Sequence, residues 1–159
     1  MNPNNYTSQS SVIIQQAMEI AQERGQQAIE TGHLLQAILQ DDTQTASFLL
    51  KKLGVNPSQI QTALQPILNT YPKVSGDQAY ASNALQQALQ RADKLKADFG
   101  DTFVSVEVLF LSLLDGNDSV ADALKKLGLT TKNFKQAIIE LRGNRKVNDP
   151  HAESTYQSL

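Results

Sequence analysis

Cysteine and tryptophan are absent from the 159 residues, and only two histidines are present. Without cysteine the chain offers no disulfide, no thiolate ligand for zinc or an iron–sulfur cluster, and no cysteine nucleophile. This composition is typical of a protein in a reducing compartment, and we expect the cytoplasm. With His33 and His151 alone, most histidine-based metal and acid–base sites lack the residues that they need.

Long apolar runs and clustered charge are missing as well. No apolar run approaches the roughly 18 residues of a membrane span, and the first residues, MNPNNYTSQSS, lack the basic and apolar regions of a signal peptide. Lysine plus arginine total 14 against 16 aspartates plus glutamates, for a net charge of −2. A nucleic-acid binder needs a broad positive field. We therefore expect neither a membrane nor a nucleic acid as a partner.

The residues that are present predict an all-α fold. Apolar side chains recur at helical spacing along nearly the whole chain, and no stretch alternates as a half-buried strand does. Polar N-caps and C-terminal glycines bound eight such stretches. The predicted helices begin after Thr7 or Ser8, after Thr31, near Ala46, after Asn56, before Leu85, at Ser105, after Asp118 and after Thr130 or Thr131.

The eight helices read as two tandem sets of four. Three short segments recur in the same order: Gln15-Gln16-Ala17 with Gln86-Gln87-Ala88 (71 positions apart), Ala37-Ile38-Leu39 with Ser112-Leu113-Leu114 (75 apart), and Lys51-Lys52-Leu53-Gly54 with Lys125-Lys126-Leu127-Gly128 (74 apart). Order-preserving matches indicate a duplicated unit. The expected division is a domain over residues 1–143, with repeat one at about 7–68 and repeat two at about 80–141. Each half is a marginal domain alone, so the two halves are expected to share a core.

The periodicity stops at Asn144. The polar, proline-broken segment that follows has few apolar residues to bury. Residues 144–159 are therefore predicted to form an exposed, flexible linker.

Motifs for catalysis are missing. No glycine precedes a lysine, so the phosphate loop GxxxxGK[ST] is absent, as is GxGxxG. Glu30 and His33 have the spacing of half a carboxylate metal site, but a di-metal bundle site needs a second such pair and two more glutamates. The second repeat has Val108 in place of the histidine. We predict no cofactor, no metal ion and no catalytic residue.

Three polar residues next to helix starts have a local explanation. Thr7 is a predicted N-cap, and the carboxylates of Asp101 and Glu107 near the sixth helix are favoured by the positive end of its dipole. The residue types alone therefore leave both a capping role and a binding role open.

With the repeat established, the chain resembles the N-terminal domain of Clp-type AAA+ chaperones, most closely the ClpB-type disaggregases. The segments that carry the resemblance are Thr7, Gly32 to Leu39, Leu53-Gly54-Val55, Asp101 to Glu107 and Glu140 to Gly143. Even the tail is similar to the linker that leads into the first ATPase module of these proteins.

The resemblance implies a mobile recognition domain that engages unfolded or aggregated polypeptide and passes it to a hexameric motor. The motor would be built from ATPase modules of the same full-length chain, and co-chaperones are further possible partners. The resemblance also implies a role in substrate engagement for Thr7, Asp101 and Glu107, at the rim of an apolar groove whose wall includes Leu95 and Val108.

Two other functions stay open at this point. One is an adaptor-docking domain of a protease-coupled Clp unfoldase, which would prefer one folded partner over many unfolded ones. The other is an enzyme or metalloprotein on a helical bundle, against which the missing ligands argue.

Because the phosphate loop is missing, we expect the 159-residue chain neither to bind nor to hydrolyse ATP. Isothermal titration calorimetry with ATP and Mg²⁺ is the measurement. Saturable heat of binding would contradict the expectation.

Overall fold

The structure is a computed structural model that describes residues 3–74, 76 and 78–156. Nine α-helices and two short strands lie in these residues: α1 Ser8–Glu23, β1 Ala28–Ile29, α2 Thr31–Leu39, α3 Thr45–Lys52, α4 Pro57–Thr70, β2 Tyr80–Ala81, α5 Asn83–Asp98, α6 Val106–Leu114, α7 Ser119–Lys126, α8 Thr131–Arg142 and α9 Glu153–Tyr156. A single 3₁₀ turn, Pro3–Asn5, precedes α1. The all-α prediction is confirmed, and the four-residue α9 is an addition to the eight predicted helices.

Side-chain caps explain where most helices begin. Thr7 Oγ1 accepts the amide of Ser10 at 3.1 Å, and Ser82 Oγ accepts that of Leu85 at 3.1 Å. Such caps satisfy amides that the first helical turn leaves unpaired. Gly54 and Gly100, at φ of 77° and 71°, follow α3 and α5 in the left-handed conformation that glycine adopts most readily.

The two sets of four helices follow each other at a nearly constant spacing. Helices α1 and α5 have 16 residues each and begin 75 residues apart, at Ser8 and Asn83. Helices α2 and α6 have nine residues each, and α3 and α7 have eight each. The 71-residue spacing taken from the glutamine pairs is wrong by one helical turn. A shift of four residues keeps a helix on nearly the same face, so the local match misplaced the register.

Reciprocal backbone pairs join the two sets. Before α1, the amide of Thr7 donates to Val104 O at 3.0 Å; at the equivalent place before α5, the amide of Ser82 donates to Ile29 O at 3.0 Å. Strands β1 and β2 pair in parallel, and Tyr6 forms an isolated parallel bridge with Val104. The exchange, with the start of each set pairing into the middle of the other, is the pattern of a pseudo-twofold arrangement. Two-residue strands are too short to leave an alternating pattern in the sequence.

The core lies around α2 and α6. All nine residues of α6 are buried, and Phe110 on α6 stacks on Phe134 of α8 with ring centroids 4.7 Å apart. Residues from both sets of helices belong to one hydrophobic cluster. Each set packs its apolar face against the other set. A set on its own would therefore expose that face to water.

The segment after Gly143 differs from the prediction of an exposed linker. Val147, Ala152 and Tyr156 are buried and pack with Phe103 and Leu141 in a second, small cluster. The expectation of exposure is wrong for Val147, Ala152, Glu153 and Tyr156, because these side chains find a matching surface on the helices; the other residues of 144–156 are exposed. Residues 157–159 lie outside the described part, and so do Met1, Asn2, Ser75 and Asp77.

Removing the ring of Phe110 should destabilise the fold strongly. We expect Phe110→Ala to lower the free energy of unfolding by about 3–5 kcal/mol, because a buried aromatic side chain is replaced by a cavity. Urea unfolding followed by circular dichroism is the measurement. Phe48→Ala is the matched control, because Phe48 is 52% exposed, and it should cost below about 1 kcal/mol. Equal losses in the two variants would be inconsistent with this core.

Candidate functional site

A buried ion cluster lies where α8 ends against the start of α6. The guanidinium of Arg142 donates from Nη1 to both carboxylate oxygens of Asp101, at 3.0 and 2.9 Å, and from Nε to Glu107 Oε2 at 2.9 Å. Its Nη2 donates to Ser105 Oγ at 3.0 Å. One cation therefore links the α5–α6 loop, the first turn of α6 and the last turn of α8.

The cluster is almost wholly out of water. The side chains of Asp101 and Glu107 are 0% exposed and that of Arg142 is 2% exposed, and the guanidinium lies 5.1 Å from the centroid of the Phe99 ring. Burial alone would lower the pKa of Arg142, but Glu107, Tyr156 and Asp101 together hold it above its usual value. A charged group in such surroundings is stable only while its partners are in place.

Residues 144–156, here called the strap, cover this cluster. The amide of Val147 donates to Asp101 Oδ1 at 2.9 Å, and Val147 O accepts the amides of Thr102 and Phe103 at 2.8 and 3.2 Å. Further along, Pro150 O accepts the amide of Ser8 at 2.8 Å. The strap thus runs from the end of α8 across the α5–α6 loop to the start of α1.

Glu153 fastens the far end of the strap. Its Oε2 accepts from Thr7 Oγ1 at 2.6 Å and from the amide of Val106 at 3.0 Å. Burial, and then the nearby Glu107 carboxylate, raise the pKa of Glu153 to about 7, while the bonds from Thr7 and Val106 act in the opposite direction. A third carboxyl group therefore joins a site that holds one guanidinium.

The five residues predicted to bind substrate are all buried. Counted over backbone and side chain together, Thr7, Glu107 and Val108 are 0% exposed, Leu95 is 7% exposed and Asp101 is 8% exposed. The expectation that Asp101 and Glu107 are exposed carboxylates on a groove rim is wrong, because Arg142 draws both into the interior. Their part in substrate binding stays a prediction. The structure brings Thr7, Asp101 and Glu107 together beneath the strap, while Leu95 and Val108 belong to the hydrophobic core.

An open apolar groove lies elsewhere, between α1 and α5. It has a volume of about 590 Å³ and is lined on the α1 wall by Ile14 and Met18 and on the α5 wall by Leu85 and Leu89. Ile29 also lines it. We call it the α1–α5 groove.

Sequence reasoning missed this groove because it followed the buried stripes. On α1 the stripe Ile13, Ala17 and Ala21 faces the core. Ile14 and Met18 lie one position further round the helix and are only partly buried, and Leu89 has the place on α5 that is equivalent to Ile14 on α1. Apolar residues next to an already complete stripe were the signal for a second apolar face.

No metal site is found in the part of the chain that the structure describes. No group of three or more histidine, cysteine, aspartate or glutamate side chains there could hold a metal ion. Both ring nitrogens of His33 have partners: Nδ1 accepts the amide of Glu30 at 2.9 Å and Nε2 lies 2.6 Å from Gln26 Oε1. Burial, with a smaller contribution from Arg24, lowers the pKa of His33 to about 4, so its ring is neutral at pH 7. None of the helices described is long and apolar enough to cross a membrane.

Removing the cation of the cluster should be costly. We expect Arg142→Met to lower the free energy of unfolding by about 3–5 kcal/mol, because Asp101 and Glu107 remain buried without a counter-charge. Lys52→Met is the control. It removes the Lys52–Glu140 pair, whose side chains are 37% and 46% exposed, and it should cost below about 1 kcal/mol. Urea denaturation of both variants is the measurement, and a loss for Arg142→Met no larger than that for Lys52→Met would count against the cluster.

Comparison with known proteins places this fold and sequence in one family. The Clp repeat (R) N-terminal domain family matches residues 5–156. The chain is 38% identical to the chaperone protein ClpB of Bacteroides thetaiotaomicron over 159 residues, which is 100% of this chain and 18% of the relative.

Solved structures agree. The crystal structure of the Hsp104 N-terminal domain from Candida albicans matches with a TM-score of 0.82 at 25% identity, over 94% of this chain and 99% of that one. A ClpV N-domain solved in complex with a VipB peptide matches with a TM-score of 0.70 at 20% identity, over 85% of each chain. The 159 residues hold no ATPase module and span 18% of the ClpB relative's length. From its sequence match and from its fold, the chain belongs to the Clp repeat N-terminal domain family.

Proposed function

We propose that this chain is the non-catalytic substrate-recognition domain of an ATP-dependent protein disaggregase. It binds unfolded or aggregated polypeptide in the α1–α5 groove and delivers it to the ATPase modules of the same full-length chain, assembled as a hexamer in the cytoplasm. The observation that carries the proposal is the groove itself: partly exposed apolar side chains on the facing walls of two helices.

The groove suits clients that share no sequence. Unfolded chains have exposed apolar side chains in common, and moving one leucine-sized side chain out of water contributes roughly 1.5–3 kcal/mol. Part of that gain is lost in ordering the client. A groove of this kind therefore binds weakly and exchanges quickly, as a receptor that must hand on its client requires.

The polar residues around the groove can bind any peptide backbone. Gln15, Gln86 and Gln90 line it with exposed amide side chains. Each amide can both donate and accept a hydrogen bond, and every residue of a client offers a backbone donor or acceptor. Asp93, the one charged residue of the lining, is paired with Lys96 at 2.9 Å. The groove therefore selects for apolar character rather than for charge.

While the strap is docked, Thr7, Asp101 and Glu107 are buried and cannot touch a client. Any part that they play in substrate binding must then be indirect. Thr7 caps α1, the helix that forms one wall of the groove. Asp101 lies in the α5–α6 loop and Glu107 in the first turn of α6. Val104 of the same loop pairs with Tyr6 and accepts the amide of Thr7, so the loop and the start of α1 are held together. We propose that these residues position the α1 wall. Leu95 and Val108 support it from the core.

The peptide-bound ClpV N-domain supports the use of this fold as a peptide receptor. At 20% identity the likeness concerns the fold alone, so it gives no peptide sequence for this chain. The alternative function is the docking of a folded adaptor, as in a protease-coupled Clp unfoldase. An adaptor domain would discriminate strongly in favour of one folded partner, whereas the apolar groove predicts binding to many unfolded chains. Co-chaperones stay possible further partners.

A charge placed in the groove should weaken client binding without unfolding the domain. We expect Leu89→Asp to weaken binding of a reduced, alkylated protein that cannot refold by at least about tenfold, because a desolvated carboxylate would face apolar client side chains. Fluorescence anisotropy of the labelled client is the measurement, with circular dichroism to verify folding.

Ile139→Asp is the matched control, because Ile139 is 49% exposed on α8 and does not line the groove. It should leave the affinity unchanged. The same client in its native, oxidised form should not bind. Equal affinity of Leu89→Asp and of the unsubstituted chain would refute the groove assignment, and binding of the native form alone would favour the adaptor alternative.

A further inference from the structure

The strap brings more negative charge into the cluster than the cluster can neutralise. Asp101, Glu107 and Glu153 are three carboxyl groups, all buried, and Arg142 is the only cation bonded to any of them among the described residues. The guanidinium is already committed to Asp101, Glu107 and Ser105. Glu153 therefore docks without a cation of its own, because Arg142 is already paired with Asp101 and Glu107.

Unsatisfied atoms identify where the surplus is handled. Glu107 Oε1, Glu153 Oε1 and the Tyr156 hydroxyl are all buried, and none of the three makes a hydrogen bond of good geometry among the described residues. Two buried carboxylate oxygens without donors are costly when both groups are ionised. A single proton on Glu153 removes one charge and turns one of its oxygens into a donor.

We propose that the strap is a proton-sensitive cover over Thr7, Asp101 and Glu107. It docks with a proton held by Glu153, and loss of that proton releases it. On release, Thr7 Oγ1 and the amide of Val106 lose their acceptor, the amide of Val147 leaves Asp101, and this face of α6 opens to water. The proposal depends on the geometry of the cluster and is independent of what the α1–α5 groove binds.

The remaining charged groups near the strap do not cancel this effect. Arg142 on α8 and Asp101 in the α5–α6 loop bind each other, and α1 faces Glu153 with the neutral Thr7. On the strap itself, the hydroxyl of Tyr156 has its pKa raised by burial and by Glu107, so it stays protonated. Arg145 binds the carbonyl of Thr155 at 3.1 Å, and His151 is exposed.

The direction of the pH effect follows from the docked state. Glu153 has its pKa raised from 4.5 to about 7 when docked, and in the released strap it returns towards the ordinary value. Docking therefore takes up a proton. It is strongest below about pH 4.5, weakens as the pH rises through the window up to about 7, and is level above that.

Hydrogen exchange can measure even rare release. The amides of Ser8 and Thr102 donate to the strap carbonyls of Pro150 and Val147, so they exchange when the strap leaves. From pH 5 to pH 7.5 we expect their protection factors, corrected for intrinsic exchange rates, to fall by about tenfold to a hundredfold. Nuclear magnetic resonance on the 159-residue chain gives both values.

Variants separate the proton from the contacts. In Glu153→Gln the amide oxygen can still accept from Thr7 and Val106, and the side chain carries no charge at any pH, so protection should stay level with pH. Glu23→Gln, at an exposed position on α1, should behave like the unsubstituted chain. Val147→Ala should lower protection at every pH and keep the pH slope.

Two outcomes would overturn the proposal. One is pH-independent protection of Ser8 and Thr102 in the unsubstituted chain. The other is a pH slope in Glu153→Gln equal to that of the unsubstituted chain.

Discussion

The four hydrogen bonds of Arg142 to Asp101, Glu107 and Ser105 hold the second set of helices, the α5–α6 loop and the strap in one arrangement. Each carboxylate is buried, so each needs the cation more than an exposed group would. The consequences extend outwards. Asp101, oriented by Arg142, accepts the amide of Val147, and the negative charge of Glu107 helps to raise the pKa of Glu153 in the docked strap. The buried charge cluster therefore determines how the strap lies on this face of the domain.

The pseudo-twofold pairing explains why the two sets of helices behave as one domain. The residues before α1 bind the segment before α6, and the residues before α5 bind the segment before α2. Neither set can complete its own backbone pairing. The α1–α5 groove is formed by the equivalent helices of the two sets, so each contributes one wall. A groove that requires both sets exists only in the intact domain.

Local physics made most of the fold predictable. Thr7, Ser105 and Asp118 cap their helices through short-range bonds, and Gly54 and Gly128 end theirs by a conformation that glycine tolerates; all of this is written within four residues of each boundary. The environment of Asp101 could not be predicted in this way, because its partner Arg142 is 41 residues away. The burial of the strap's apolar side chains could not be predicted for the same reason. Its few apolar residues look insufficient for a core of their own, and only the folded helices supply the surface that buries Val147 and Tyr156.

The path of the strap also has a mechanical consequence. From Arg142 the chain crosses the α5–α6 loop, passes the start of α1 and reaches Tyr156, and its contacts follow one another along that path. A pulling force applied at Tyr156 would load Glu153 first, then the bond from Ser8 to Pro150, and last the bonds around Val147, so the contacts would break one by one as in peeling. Thirteen released residues span at most roughly 45 Å when fully extended, at about 3.5 Å per residue, and only then would tension reach α8. Under load, residues 144–156 would therefore detach and lengthen before any of the helices unfolded.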